Sequence, residues 1–143
     1  MFELHPRLEA DCVSIGSFPL CTLLLMNDCN YPWFILVPQR EGVREIYELS
    51  EEDQRQLLWE SSTLSRAIAD HFNADKINVA ALGNMVPQLH IHHIVRYRSD
   101  AAWPEPVWGH AAAAPYSKQK LSEMVATLTE LMPGSFRACV SDC

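Results

Sequence analysis

The chain has 143 residues, which is enough for one domain with a single hydrophobic core. Its formal net charge of −7 argues against binding to long nucleic acids, which bind basic faces, but leaves a mononucleotide ligand open. No apolar run approaches the ~20 residues of a membrane span, and the N-terminus carries acidic residues without a hydrophobic signal region. We therefore expect a cytoplasmic protein without a membrane segment.

The cysteines agree with a reducing compartment. They are odd in number and contain no Cys-x-x-Cys pair, so we interpret them as free thiols that behave as small apolar side chains. The five are Cys12, Cys21, Cys29, Cys139 and Cys143.

The first part of the chain predicts two strands joined by a turn. Residues 18–26 form a continuous apolar run, which is typical of a buried strand. Residues 27–32 have the composition of a turn. Residues 33–37 form a second apolar run that ends at Pro38, because proline cannot donate to a strand ladder. The short connection indicates a hairpin.

The middle of the chain predicts a long helix followed by two strands. Ser50 with an acidic residue three positions later is typical of a helix start, and apolar residues recur at near-helical spacing over 50–72. Residues 76–81 predict a strand, residues 83–87 a loop and residues 89–97 a further strand.

The C-terminal part predicts an irregular segment and a second helix. Residues 101–110 contain two prolines and two tryptophans and cannot be regular, whereas apolar spacing predicts a helix over about 115–132. The order of strands, helix, strands and helix is typical of an α+β fold with an antiparallel sheet.

Three imidazoles within four residues distinguish the last predicted strand. Side chains alternate along a strand, so Gln88, His90 and His92 share one face and His93 lies on the other. Burying such polar groups in an apolar strand costs free energy unless they are used. The run therefore indicates a site of chemistry.

This run resembles the signature of the histidine triad (HIT) family, His-φ-His-φ-His-φ-φ after a lead-in of glycine, a polar residue and valine. His90 and His92 match the second and third histidines, and Gln88 stands in place of the first. The lead-in matches at Gly83, Asn84 and Val86. A register that makes His90 the first histidine loses this lead-in.

The resemblance extends over residues 20–98. The strand that ends at Pro38 is similar to the family's Val-Ile-Pro strand, with Trp33 where many members have a histidine, and residues 49–52 are similar to its Leu-Thr-x-Glu helix start. The family resemblance implies an α+β fold, with a five-stranded antiparallel sheet, a long central helix and a C-terminal helix. We expect one HIT-like domain over residues 1–143, with a core over about 14–110 and a helical extension over about 115–132.

The family implies a nucleotide hydrolase or nucleotidyl transferase that cleaves at an α-phosphate. His90 would be the nucleophile, while His92 would contact the phosphate and, as a protonated imidazole, serve the leaving group. Gln88 would support them through hydrogen bonds. The implied partner is a nucleotide-type small molecule, without a cofactor or metal ion, and the implied assembly is a homodimer.

Four further residues are expected to contact the nucleotide. Asn84 would contribute an amide to the phosphate site. Asn27 and Asp28 lie near the position where the family keeps an acid for the ribose hydroxyls. Trp33 would form a wall of the site or stack on a base, unless it is only a core aromatic.

Two alternatives remain. His90 and His92 could be satisfied core histidines of a non-catalytic nucleotide-binding or interaction protein. They could also be two ligands of a metal site completed by His110, His5 or Glu105.

The other tryptophans and the third histidine carry separate expectations. Trp103 and Trp108 follow the histidine strand, and some relatives place a Trp-Pro segment near a partner subunit's site, so the two tryptophans are expected to close a pocket in trans. His93 is expected to be a packing or hydrogen-bonded residue.

Overall fold

A computed structural model of the chain describes residues 1–140. Cys143, one of the expected free thiols, lies outside the described residues. The other four cysteines are free thiols. The helices are α1 (Pro6–Asp11), α2 (Glu51–Phe72) and α3 (Lys118–Leu131), with a short 3-10 helix at Ile46–Glu48; the strands are β1 (Cys12–Ser17), β2 (Cys21–Met26), β3 (Trp33–Pro38), β4 (Lys76–Ala80), β5 (Ile91–Arg96) and β6 (Arg137–Ala138).

The strands form one antiparallel sheet in the order β4-β5-β3-β2-β1-β6, which confirms the α+β class. The sheet described by residues 1–140 has six strands rather than the expected five. β6 is a two-residue strand that pairs with Gly16 and Ser17 at the end of β1. Gly16 permits this approach, because a Cβ there would lie 2.3 Å from the Arg137 carbonyl oxygen.

The predicted elements are found, and their ends are set by local chemistry. The Ser50 Oγ accepts a hydrogen bond from the Asp53 amide at 3.1 Å and begins α2, as the sequence indicates. α2 ends at Asn73, which adopts the left-handed conformation with φ 50°. The first predicted strand is shorter than 18–26, because residues 18–20 form the β1–β2 turn, which is closed by a hydrogen bond from the Phe18 amide to the Cys21 carbonyl.

The sheet buries both of its faces. Alternate residues of the central strands, such as Phe34 and Val95, face one core with the buried residues of α2 and α3. Their neighbours, such as Ile35 and Ile94, face a second core that Leu8 of α1 and Val107 help to cover. α3 therefore shares a core with the sheet, and the proposed division into a core and a helical extension stays a prediction. Within residues 1–140, no helix combines the length and apolar character that crossing a bilayer requires.

A buried ion pair organises the segment after β5. The Arg96 guanidinium donates to both carboxylate oxygens of Asp100, at 2.8 and 3.1 Å, and both side chains are almost fully buried. Arg96 also donates to Asn78 Oδ1 and to the Glu105 carbonyl, and it lies over the Trp103 ring. Burial raises the pKa of Asp100, but hydrogen bonds from Arg96 and three backbone amides outweigh it and lower the pKa to about 2.

We expect Asp100→Asn to lower the free energy of unfolding by about 3–5 kcal/mol, because it leaves the buried Arg96 without its counter-charge. Urea unfolding measures the change. Asp11→Asn is the matched control, since it breaks the exposed Arg7–Asp11 pair and should cost about 0–1 kcal/mol. Equal losses in the two variants would contradict the role given to the buried pair.

Candidate functional site

The sequence predicts that His90 and His92 share a face, and the structure brings them together. His92 lies in β5 opposite Ile35 of β3 and Ala80 of β4, and its side chain is on the face of the second core. His90 immediately precedes β5. The two rings are 4.9 Å apart between centroids, and both residues are buried. Two imidazoles of this kind can therefore contact one small ligand.

These rings face a cavity of about 750 Å³. α1 forms one wall, the turn between β2 and β3 a second, residues 82–86 a third and the segment from Val107 to Ala113 a fourth. Gly83 in the third wall has φ +81°, a backbone conformation that favours glycine. The polar lining residues are Arg7, Asp11, Asn27, Asp28, Asn84, His90 and His92.

The orientation of His90 is set by the backbone. Its Nδ1 lies 2.7 Å from the Gln88 carbonyl oxygen. A carbonyl oxygen only accepts hydrogen bonds, so Nδ1 carries the hydrogen and a neutral ring keeps the lone pair of Nε2 free. His90 lines the cavity, and its Nε2 is therefore the nitrogen available to act as a nucleophile.

The orientation of His92 is set by Trp33. The indole Nε1–H of Trp33 donates to His92 Nδ1 at 3.0 Å, and Trp33 is itself buried. Burial, followed by the nearby His90 and His93, lowers the pKa of His92 to about 3. Near neutral pH this burial and the Trp33 bond favour a neutral ring with its hydrogen on Nε2, which differs from the protonated His92 that the resemblance implies.

Both tryptophans after β5 have contacts within their own chain. Trp108 packs edge-on against Trp33 and His92, with centroid distances of 5.6 and 5.0 Å, and lines the cavity. Trp103 lies over Arg96 with 5.6 Å between the ring centroid and the guanidinium carbon. Trp108 thus forms part of the cavity wall in its own chain, and the expectation that the two tryptophans close a pocket in trans stays a prediction.

Gln88 does not present its side chain to the cavity, contrary to the expected support role. Its Oε1 accepts from the His5 amide and its Nε2 donates to the Glu3 carbonyl, both at 2.8 Å. The side chain therefore holds the N-terminal segment, while the main chain of Gln88 orients His90. The sequence predicts a strand from residue 89, but β5 begins only at Ile91, so strand alternation does not determine the direction of the Gln88 side chain.

The side chains expected to contact a nucleotide line the cavity, and two of them, Asn27 and Asp28, already accept hydrogen bonds from other parts of the chain. Asp28 is buried, and its Oδ1 accepts from the Asn30 side chain and from the amides of Asn30 and Ala114. Asn27 Oδ1 accepts from the Tyr116 amide. Asn84 is exposed. The turn after β2 is thus tied to the segment before α3, which fixes Asp28 at the cavity wall.

His93 lies on the opposite face, as predicted. Its Nδ1 lies 3.0 Å from the Ile91 carbonyl and its Nε2 lies 2.7 Å from Ser61 Oγ of α2. Burial lowers the pKa of His93 to about 4. His93 is therefore a neutral, hydrogen-bonded residue between the sheet and α2.

The alternative metal ligands have other partners. His110 pairs with Glu105 at 2.9 Å, and His5 Nδ1 accepts from the Arg7 amide at the start of α1. Within residues 1–140, no group of three or more His, Cys, Asp or Glu side chains is arranged to hold a metal ion.

Sequence reasoning missed the cavity residues of α1. Arg7 and Asp11 line the cavity, and Leu8 is buried in the core beneath it. Pro6 at the first helical position was the available signal, since proline is favoured there. Among the described residues, Arg7 is the one arginine or lysine that lines this cavity.

The fold and the paired histidines define the class of protein, an α+β domain with a His-x-His site on a sheet. A HIT domain family model matches residues 7–99. The chain therefore belongs to the histidine triad family. A sequence comparison with curated proteins found no match.

Solved structures agree with this assignment. A histidine triad protein from Marinobacter aquaeolei VT8 is 56% identical, with a TM-score of 0.90 over 92% of this chain and 96% of that chain. One from Bradyrhizobium japonicum is 44% identical, with a TM-score of 0.88 over 90% and 96%. One from Sinorhizobium meliloti 1021 is 42% identical, with a TM-score of 0.90 over 92% and 98%.

We expect acid to destabilise the fold through His92 and His93. Their pKa values are about 3 and about 4 in the folded state, against 6.5 for the unperturbed group. Below about pH 6.5 these two histidines are protonated in the unfolded chain but remain neutral in the folded one. The free energy of unfolding is therefore highest above that pH and decreases as the pH falls. Each histidine contributes up to about 1.4 kcal/mol per pH unit.

Urea unfolding at pH 7 and at pH 5 tests this expectation, with His93→Leu as the comparison. The variant should show a smaller decrease in the free energy of unfolding between the two values, because one of the two titrating groups is gone. Comparing the two proteins cancels the carboxylates, which titrate in both. An identical decrease would contradict the assignment.

Proposed function

We propose that the protein is a nucleotide hydrolase or nucleotidyl transferase that acts through His90. Membership of the histidine triad family supports nucleotide binding and hydrolase or transferase chemistry in general. The observation that carries the specific proposal is the 2.7 Å contact between His90 Nδ1 and the Gln88 carbonyl, which leaves Nε2 available at the cavity.

The proposed reaction has two displacements. The Nε2 lone pair of His90 forms a bond to the α-phosphorus, while the bond from phosphorus to the leaving group breaks and the leaving group takes the electron pair. Water, or another acceptor hydroxyl in a transfer, then displaces His90 and loses its proton to solvent. The Nε2–H of His92 donates to a phosphoryl oxygen and stabilises its charge.

The remaining cavity residues suit the rest of a nucleotide. Asp28 is the proposed partner of the ribose hydroxyls, with Asn27 beside it in the same turn. Asn84 is the proposed amide donor to the phosphate, and Arg7 supplies positive charge to a cavity that otherwise contains two acids. Trp33 is a wall of the site, and its hydrogen bond to His92 makes it more than a core aromatic.

A non-catalytic nucleotide-binding protein on the same fold is the second candidate. The observation that favours it is that neither residue at the two altered histidine positions can relay a proton. Gln88 is an amide committed to the N-terminal segment, and Trp33 is an indole that only donates. Such a protein would bind a nucleotide without turning it over.

We expect His90→Ala to abolish turnover while nucleoside monophosphate binding is retained within about tenfold. Brief incubation of the unaltered protein with an activated nucleotide should add one nucleoside monophosphate to the protein mass, mapped to His90. His93→Leu is the control, since His93 lies on the other face and its variant should still form the adduct. Binding without an adduct or turnover would support the second candidate, and an adduct on His92 would contradict the assignment of the nucleophile.

We also propose a homodimer, which is the assembly implied by the family. α2 exposes Leu58 and Trp59, which are 68% and 47% exposed, and β4 at the edge of the sheet exposes Val79 at 53%. An apolar helix face beside an unpaired strand edge is suited to burial against a second copy. Two copies joined at β4 would continue one sheet across both subunits.

Sedimentation at micromolar concentration should give about twice the 16.2 kDa chain mass. Trp59→Glu should give the monomer mass, because it places a charge in the proposed interface. Val140→Glu is the control, since Val140 is exposed beyond β6 at the other edge of the sheet. A monomeric unaltered protein, or a dimer unaffected by Trp59→Glu, would contradict this interface.

The proposed compartment is a reducing cytoplasm. Support comes from Cys29 and Cys139, which are exposed free thiols and would be open to oxidation in a secreted protein.

A further inference from the structure

The contact between Trp33 and His92 has a fixed direction. An indole nitrogen can only donate, so in the 3.0 Å hydrogen bond His92 Nδ1 must be the acceptor. Both side chains are buried, and Trp108 packs against both rings. A neutral imidazole carries one hydrogen, and with Nδ1 accepting that hydrogen is on Nε2.

Trp33 also opposes a second proton on His92. Protonation of Nδ1 would place two N–H groups against each other across 3.0 Å in a buried contact, and neither would then have an acceptor. A histidine at position 33 would behave differently, because its nitrogens can either donate or accept. Trp33 therefore restricts His92 to one protonation state and one tautomer.

We propose that Trp33 is a positioning residue that keeps His92 a permanent neutral Nε2–H donor, so that the site favours substrates whose leaving group departs without a proton. This inference rests on the proposed function. His92 can stabilise charge on a phosphoryl oxygen, but it cannot deliver a proton without becoming an imidazolate. The substrate class that fits is a nucleoside phosphoanhydride, which releases a phosphate anion. A phosphoramidate fits poorly, because its amine needs a proton to leave.

The first test is structural and needs no turnover. Two-bond ¹H–¹⁵N correlation spectra of ¹⁵N-histidine-labelled protein distinguish the two neutral tautomers and the protonated ring. We expect His92 to be entirely Nε2–H in the unaltered protein and a mixture in Trp33→Phe, which removes the indole donor and keeps an aromatic ring. A mixture or an Nδ1–H form in the unaltered protein overturns the proposal, whether or not the variant folds.

Tyr31→Phe is the matched control. Tyr31 packs edge-on against Trp33 with 6.4 Å between ring centroids, and its buried hydroxyl has no hydrogen-bond partner within residues 1–140. Removing that hydroxyl alters the same aromatic surroundings without touching the bond to His92. The control should keep the pure Nε2–H form. Loss of that form in Tyr31→Phe would show that general packing, and not the indole hydrogen bond, holds the tautomer.

The second test compares substrates with the same adenosine group, a 5′-phosphoanhydride and a 5′-phosphoramidate. We expect the unaltered protein to prefer the anhydride by at least about tenfold in kcat/KM. Trp33→Phe should lower kcat for the anhydride by roughly five- to tenfold, the value of one hydrogen bond, with KM nearly unchanged. The ratio of kcat/KM for the anhydride to that for the phosphoramidate should therefore decrease. An unchanged kcat with mixed tautomers overturns the positioning role, and a preference for the phosphoramidate overturns the substrate class.

Failure of the proposed function is distinguishable from failure of this inference. If the unaltered protein turns over neither substrate, the proposed function and the substrate class fail together, and the His92 spectra alone decide the role of Trp33. Mixed tautomers in Trp33→Phe, with the pure Nε2–H form kept in Tyr31→Phe, would support that role. The same His92 tautomer in both variants would overturn the role of the indole donor.

Discussion

β5 is buried along its whole length on both faces, and this constraint governs the site and the surrounding fold. Three of its six residues are polar, namely His92, His93 and Arg96. Burying each of them costs free energy unless a partner is present. The partners come from three different parts of the chain: Trp33 begins β3, Ser61 lies in α2 and Asp100 follows β5. The strand is therefore stable only when the sheet, the helix and the following segment are all in place.

The same partners connect stability to the geometry of the site. Arg96 binds Asp100 and the Glu105 carbonyl, which holds the start of the segment that returns over the sheet. That segment carries Val107 into the core and Trp108 against His92. Loss of the Arg96 network would consequently open the cavity as well as weaken the fold. Burial and geometry are connected at His92 as well. The rings of Trp33 and Trp108 pack against His92, so they contribute to the burial that lowers its pKa, and Trp33 also fixes its orientation.

Local patterns in the sequence were sufficient for the features that depend on neighbouring residues. Alternation along β5 places His92 and His93 on opposite faces, and the Ser50 cap begins α2, both as predicted. The features that were missed depend on residues far apart in the chain. Gln88 binds atoms of Glu3 and His5, more than 80 positions away, and no local pattern indicates such a contact. β6 likewise exists only because the C-terminal segment reaches β1.

Two positions depart from the histidines that the family resemblance implies, Gln88 in the triad motif and Trp33 at the start of β3, and both affect the site in the same way. His90 is oriented by the carbonyl of residue 88, and a carbonyl is present whatever the side chain, so a glutamine there keeps the orientation of the proposed nucleophile. Its side chain is then available to hold the segment that leads into α1, and α1 brings Arg7 to the cavity. Trp33 similarly keeps a hydrogen bond to His92 while it cannot exchange a proton. Both changes preserve orientation and remove proton relay, which is the combination expected where the leaving group already departs as a stable anion.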